Sequence, residues 1–261
     1  MPPGRLLQFR PREVGITVGK TRWTRWGCFA ALLLAALALF VHIPVKDAAP
    51  PPAAPDPTAA PGPLAGLTVC LDPGHGGYDG GAYGRRSGTP EKELNLDVAL
   101  RLGELLTRQG AAVVLTRTED TALAEPGENR KRRDLQFRVD CAAGADAFLS
   151  IHMNEYRTAA ESGPQVFYRK GQADSRLLAG VLQQRMNADL SPARPRSANT
   201  GEYYLLEHLD IPAVLVECGF LSSPEEEQRL LTADYRQQVA ESLCTGLADW
   251  LAARKSLANI P

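Results

Sequence analysis

The sequence predicts an α/β fold: a single three-layer domain with a mostly parallel sheet flanked by helices, preceded by an N-terminal membrane segment. From residue 64 onward, short β-rich runs alternate with helical patterns, as they do in parallel sheets with crossover helices. Before that domain, one apolar run is long enough to span a bilayer. No repeat of 20–50 residues is present in the sequence, which argues against solenoid architectures.

The membrane segment is predicted at residues 27–45, after a basic stretch at residues 1–26 that the positive-inside rule places in the cytoplasm. A cleaved signal peptide, cut near residues 47–49, is the alternative. We favour an uncleaved signal-anchor because a 26-residue preface is long for a signal peptide. The Pro/Ala-rich residues 46–63 predict an extended linker. The folded domain at residues 64–255 is therefore expected outside the cytoplasm, as part of a single-pass membrane protein or secreted after cleavage.

Within that domain, the order of elements follows from the local patterns. Strands are predicted at residues 67–71, 111–116, 147–151, 165–168 and 213–217, and helices at 90–109, 133–143 and 174–190. The first helix has Thr89 as expected N-cap and Pro90 at its first position. Two helical stretches end the domain, and the first begins at Ser223-Pro224 with Glu226 as an expected capping-box glutamate.

Composition excludes some classes of function. The formal net charge is −1 and the sequence pI is about 6.4, so no global positive field would attract nucleic acid, and we expect no nucleic-acid partner. The five cysteines form no C-x-x-C pair and no Cys/His cluster, so a metal would have to use histidine and carboxylate ligands. We expect buried free thiols, although an exported domain would also permit disulfides.

A glycine-rich turn follows the first strand in the sequence LDPGHGG (71–77). A phosphate-binding loop fails on spacing, because Asp79 stands where the last glycine of G-x-G-x-x-G belongs and no G-K-[ST] follows. We therefore expect no nucleotide, and we interpret the glycines as backbone room around His75. Taken alone, His75 is better explained as a turn or core histidine, so a site requires partners for it.

The next candidate is a carboxylate at the start of the first helix. The helical period places Glu91 on the apolar stripe that contains Leu94 and Val98, whereas Glu93 falls on the flank. A carboxylate on the buried face requires a partner. The alternative is a first-turn glutamate that is favoured only by the helix dipole.

Two further candidates end apolar strands: His152 after residues 147–151 and Glu217 after residues 213–216. Open α/β sheets bind ligands at the carboxyl ends of their strands, where His75 also lies. Two histidines and one glutamate, with a water, make the open arrangement of a hydrolytic site for one Zn²⁺. Glu217 could then move the proton. The alternative for Glu217 is a salt bridge with Arg117 or Arg138.

Five motifs in this order resemble the zinc-dependent N-acetylmuramoyl-L-alanine amidases (amidase type 3) over residues 67–250. They are LDPGHGG (71–77), EKELNL (91–96), LTR (115–117), SIHMN (150–154) and VECGFLS (216–222). The resemblance implies that His75, Glu91 and His152 bind zinc and that Glu217 is the catalytic carboxylate. It also implies peptidoglycan as substrate, cut between the muramic acid lactyl group and L-alanine.

Within the family, the sequence is most similar to the germination-specific amidases of endospore formers, which act in the formation of muramic-δ-lactam in spore cortex. The basic run at residues 130–133 is interpreted either as a contact for the glycan or acidic peptide or as a solvated helix start. The stretch between Asn154 and Glu217 is too short for a long occluding insertion, so we expect an open groove. An accessory lipoprotein is a further possible partner. The alternatives are a general wall-turnover or cell-separation amidase, another exported zinc peptidase, and a catalytically silent wall-binding module.

Overall fold

The computed structural model describes residues 62–258, in which six strands and six helices alternate along the chain. The strands are β1 (Thr68–Pro73), β2 (Ala112–Leu115), β3 (Ala147–Asn154), β4 (Gln165–Tyr168), β5 (Asn199–Thr200) and β6 (Ala213–Phe220). The helices are α1 (Glu91–Arg108), α2 (Arg130–Cys141), α3 (Ala173–Leu190), α4 (Tyr204–Glu207), α5 (Pro224–Leu230) and α6 (Ala233–Ala258).

The strands form one sheet in the order β2-β1-β3-β6-β4-β5. The pairs β1·β2, β1·β3 and β3·β6 are parallel, β4 is antiparallel to β6, and β5 is parallel to β4. The predicted mostly parallel sheet is thus confirmed, with a reversed edge. Because β1, β3 and β6 are adjacent and parallel, their carboxyl ends lie side by side at one edge of the sheet.

Helices cover both faces of the sheet, which confirms the three-layer prediction. On one face, Leu71, Ile151 and Val216 are fully buried in the large apolar core shared with α1, α3 and α6. On the other face, Phe148 and Leu215 pack in a smaller apolar cluster with residues of α2 and α4. Side chains alternate between the two faces along each strand, so a residue's position in its strand decides which layer it meets.

Most predicted elements agree with the structure to within a few residues, and the differences have local causes. Helix α1 begins at Glu91, so Pro90 rather than Thr89 is its N-cap, and no side-chain cap hydrogen bond forms. Ser223 occupies the N-cap position of α5, with Pro224 at the first position, but its side chain makes no cap hydrogen bond. The capping-box role of Glu226 was wrong, because its carboxylate accepts hydrogen bonds from the backbone N–H groups of Gly163 and Phe220.

The N-terminal predictions lie mostly outside the described residues. These are the basic segment, the anchor at residues 27–45, nearly all of the linker, and Cys28. Within residues 62–258, no helix combines the length and apolar character needed to cross a membrane. Cys70, Cys141, Cys218 and Cys244 are free thiols, as expected.

Candidate metal centre

All four predicted site residues lie at the carboxyl edge of the sheet. His75 follows β1 by two residues, His152 lies near the end of β3, and Glu217 lies in β6. In the β3·β6 ladder His152 is directly opposite Glu217, so their side chains project from the same face. Glu91 reaches the same place from the first turn of α1.

Three of these residues form a compact cluster. Glu91 Oε1 lies 3.2 Å from Nε2 of His75 and 2.9 Å from Nδ1 of His152. One potential ligand atom from each residue lies within 4.8 Å of the other two. The two imidazole rings meet edge to face, with their centroids 4.9 Å apart. Glu91 is buried and Glu93 is exposed, which confirms the placement of Glu91 on the buried face of the helix.

The carboxylate of Glu91 is held firmly as an anion. Its Oε1 also accepts hydrogen bonds from the backbone N–H of Met153 and from Nδ2 of Asn95, both at 3.1 Å, and its Oε2 accepts one from Ala82 N at 2.8 Å. Burial alone would raise the pKa of Glu91, but hydrogen bonds with His152 and His75 outweigh it and hold the pKa far below its usual range. The side chain therefore offers a buried negative charge beside two imidazole nitrogens.

This donor set fits zinc. Two imidazoles and one carboxylate are the protein ligands of many hydrolytic zinc sites, which keep one position open. A buried anion between two histidines is also what a divalent cation would neutralise.

Glycines make room for the cluster, as expected from the sequence. A Cβ at Gly74 would lie 2.2 Å from Cε1 of His152, and a Cβ at Gly81 would lie 2.4 Å from Oε2 of Glu91. His75 itself has a φ of 63°, a left-handed conformation that non-glycine residues adopt at an energetic cost. The surrounding structure must therefore hold this residue in place.

Two buried arginines hold His75 in place by binding the backbone carbonyls of residues 73–75. Arg117 donates from Nε to Pro73 O and from Nη2 to Gly74 O, both at 2.9 Å. Arg138 donates to Pro73 O at 3.0 Å and to His75 O at 2.7 Å. Neither arginine forms an ion pair with Glu217 within the described structure, so the salt-bridge alternative for that residue was wrong.

Arg138 pairs with two buried carboxylates, Asp72 and Asp134, the latter 2.9 Å from its Nε. The Arg138 Nη1–Asp72 Oδ1 distance is 2.6 Å, and hydroxyl groups of Thr116 and Ser150 donate to the same carboxylate at 2.7 Å. Burial opposes ionisation of Asp72, but Arg138 and the two hydroxyls keep its pKa below the usual value. Sequence reasoning did not assign these roles to Arg117, Arg138 and Asp72. The LTR motif around Arg117 and the LDPGHGG motif, which contains Asp72, were the available signals.

Glu217 has a different environment from Glu91. Glu217 is 9% exposed, and its Oε2 atom is buried without a hydrogen-bond partner among the described residues. Burial raises its pKa to about 7, with the charges of His152 and His75 acting in the opposite direction and that of Glu91 adding to the rise. A carboxylate that titrates near neutral pH can both accept and return a proton.

These four residues share one cavity of about 390 Å³. Its remaining walls are largely apolar and aromatic, with Leu135 from α2, Met153 from β3, and Tyr203 and Tyr204 at the start of α4. The side chains of His75 and His152 are 19% and 15% exposed, so the cluster is reached by solvent. A larger cavity of about 800 Å³, between β4 and α3, contains none of the four residues.

The basic run on α2 is mostly engaged by the protein itself. The guanidinium of Arg130 lies 3.9 Å from the ring centroid of Tyr78, Lys131 pairs with Asp79, and Arg133 donates to Glu125 O. For these three of the four basic residues, the contacts favour the interpretation as the start of a helix over direct contact with substrate.

Comparisons with known proteins agree with this geometry. The family model described as N-acetylmuramoyl-L-alanine amidase matches residues 69–249, which include all four site residues. The chain is 37% identical over 191 residues to the germination-specific N-acetylmuramoyl-L-alanine amidase of Bacillus subtilis, covering 71% of this chain and 80% of that protein. It is 35% identical over 192 residues to the amidase LytC of the same species, covering 72% of this chain but 36% of LytC.

Among solved structures, the CwlD amidase from Clostridioides difficile, determined in complex with the GerS lipoprotein, aligns with a TM-score of 0.69 at 33% identity. The alignment covers 72% of this chain and 99% of that chain. A second amidase structure, from Clostridium difficile 630, aligns with a TM-score of 0.65 at 34% identity, covering 71% of this chain and 97% of that one. The chain belongs to the N-acetylmuramoyl-L-alanine amidase family and is a hydrolase of that class.

Proposed function

We propose that this chain hydrolyses the amide bond between the lactyl group of N-acetylmuramic acid and L-alanine in peptidoglycan, with one zinc ion held by His75, Glu91 and His152. The observation that carries the proposal is the convergence of two imidazole nitrogens on one oxygen of a buried carboxylate. Family membership supports the choice of bond.

When bound, zinc supplies Lewis-acid polarisation of a carbonyl oxygen and makes water more acidic. Glu217 does the proton transfer: its carboxylate takes a proton from the attacking water and gives it to the departing nitrogen of L-alanine. Burial raises the pKa of Glu217 above its usual value, which makes it a stronger proton acceptor. The apolar cavity walls limit solvent around the carboxylate, and the opposed position of His152 in the neighbouring strand keeps Glu217 beside the metal ligands.

The reaction is tested by digesting purified peptidoglycan and analysing the products by mass spectrometry. New L-alanine amino termini with an intact glycan are expected. Cleavage inside the stem peptide would instead indicate a zinc peptidase, and an unchanged wall would indicate a silent binding module.

The site assignment is tested separately by metal analysis. The purified wild-type protein is expected to hold one zinc per chain, and His75→Ala to lose most of it, because one of three ligands is removed. Glu217→Gln is expected to retain the metal and lose turnover. Stoichiometric zinc in His75→Ala would contradict the ligand assignment.

For the biological role, we propose spore cortex and the formation of muramic-δ-lactam, supported by the 37% identity to the germination-specific enzyme of Bacillus subtilis. Cortex from a strain that lacks this protein is expected to contain no muramic-δ-lactam. A normal lactam content with altered vegetative wall would favour general turnover or cell separation.

The proposed location is the bacterial cell membrane, with residues 27–45 as the anchor and the amidase domain outside. The complex of the CwlD amidase with a lipoprotein supports a similar accessory partner here. Protease protection of intact cells, followed by cross-linking and mass spectrometry, tests both points.

A further inference from the structure

A carboxylate that is not part of the metal cluster lies behind His75. Nε2 of His75 faces Glu91, whereas Nδ1, on the other side of the ring, lies 3.0 Å from Oδ1 of Asp79. This Nδ1 is buried and makes no hydrogen bond of good geometry among residues 62–258, and the Asp79 carboxylate is the charged group beside it. The backbones of Asp79 and Gly76 are paired through two hydrogen bonds of 2.9 and 3.1 Å, so the loop closes on itself and fixes the position of Asp79.

The second oxygen of Asp79 is bound from a different layer of the fold. Lys131, in the first turn of α2, pairs with Asp79 Oδ2. The side chain of Lys131 is 54% exposed and that of Asp79 is 24% exposed, so the ion pair is at the rim of the site. The neighbouring Arg132 is also exposed, but it makes no ion pair or side-chain hydrogen bond within the described part of the chain.

We propose that Asp79 and Lys131 are positioning residues that set the metal affinity of His75. In the metal-bound protein the Asp79 carboxylate, 3.0 Å from Nδ1 here, would accept the Nδ1–H of the imidazole. This hydrogen bond would fix the tautomer with the Nε2 lone pair directed at the metal position and make that nitrogen a stronger donor. Lys131 holds the carboxylate in this orientation and connects α2 to the loop of residues 74–79 after β1, which we call the metal loop. This inference rests on the proposed zinc site.

The test is the zinc dissociation constant of the full-length protein, measured by competition with a chelator. Carboxylates behind ligating histidines change metal affinity by about 10- to 100-fold, so Asp79→Asn is expected to weaken zinc binding by that factor. Lys131→Met is expected to weaken it by about two- to fivefold, the range of an exposed ion pair. Arg132→Met, one residue along the same helix, is the matched control and should bind zinc like wild type, as should Lys131→Arg, which keeps the charge.

Circular dichroism and melting of the metal-free variants separate metal affinity from folding. Wild-type affinity in a folded Asp79→Asn would overturn the role of Asp79. If metal-free Asp79→Asn fails to fold, the Lys131 variants are the test. Equal zinc affinities of Lys131→Met and Arg132→Met would overturn the inference. A lower zinc affinity in Lys131→Met that returns to the wild-type value in Lys131→Arg would support it. A wild-type protein that binds no zinc would instead refute the proposed function itself.

Discussion

Replacement of Glu217 by glutamine is expected to remove a pH-dependent cost of folding from the metal-free protein. Burial raises the pKa of Glu217 from 4.5 to about 7. The folded protein therefore holds this proton more tightly than the unfolded chain does, and stability is lost as the pH rises from about 4.5 to about 7. This rise in pKa lowers the free energy of unfolding by about 3 kcal/mol above pH 7, because a tenfold change in proton affinity is worth about 1.36 kcal/mol.

The assay is urea unfolding of wild-type and Glu217→Gln protein after metal removal, at pH 5 and pH 8. Trp250 is fully buried and reports loss of the core through its fluorescence. From pH 5 to pH 8, the free energy of unfolding of Glu217→Gln should rise by about 2–3 kcal/mol relative to that of wild type. Any constant effect of the new amide cancels in this difference. Glu93→Gln, at an exposed position on α1, is the control and should show no such change.

Zinc provides a second check on the same reasoning. A cation beside Glu217 favours the ionised carboxylate, so saturating zinc should reduce the pH dependence of the wild type. If wild type and Glu217→Gln lose stability in parallel from pH 5 to pH 8, the carboxylate is not desolvated as the structure indicates, and its role in proton transfer loses its physical basis.

Two further predictions concern the loop and its support. Gly74→Ala would place a Cβ 2.2 Å from the His152 ring, so zinc affinity should fall about tenfold or more in chelator competition. Gly180→Ala, which has open space on α3, should leave the affinity unchanged. Arg138→Met removes the cation that neutralises the buried Asp72, and urea unfolding should show a loss of about 3–5 kcal/mol; a loss below about 1 kcal/mol would contradict the pairing.

The sequence was sufficient to locate the four site residues because each is placed by a local pattern. His152 and Glu217 interrupt or end apolar strands, and the helical period alone distinguishes buried Glu91 from exposed Glu93. The elements β5 and α4 were not predicted. They have two and four residues, too few for a periodic pattern, and α4 is positioned by contacts such as that between the rings of Phe167 and Tyr203.

The support of the metal loop could not be predicted for a different reason. Arg117 and Arg138 follow no local rule, and their partners in residues 72–75 lie more than 40 positions earlier in the chain. The same is true of Lys131, which belongs to a basic run that is typical of an exposed surface. Such contacts are consequences of the assembled fold. The packing of α2 against the sheet brings Arg138 and Lys131 to the loop, and the pairing of β2 with β1 brings Arg117 there.

These long-range contacts have a consequence for how the metal site forms. The left-handed conformation of His75 is maintained by arginines from two separate elements, and Glu91 already accepts hydrogen bonds from Met153 and Asn95. The ligand positions are thus set by protein groups and do not require the ion. The proposed zinc ion would then bind to a preorganised site, and little conformational entropy would be lost on binding. For that reason, the variants that remove a ligand should lose the metal while the metal-free fold remains, which separates this enzyme from small domains that fold only around zinc.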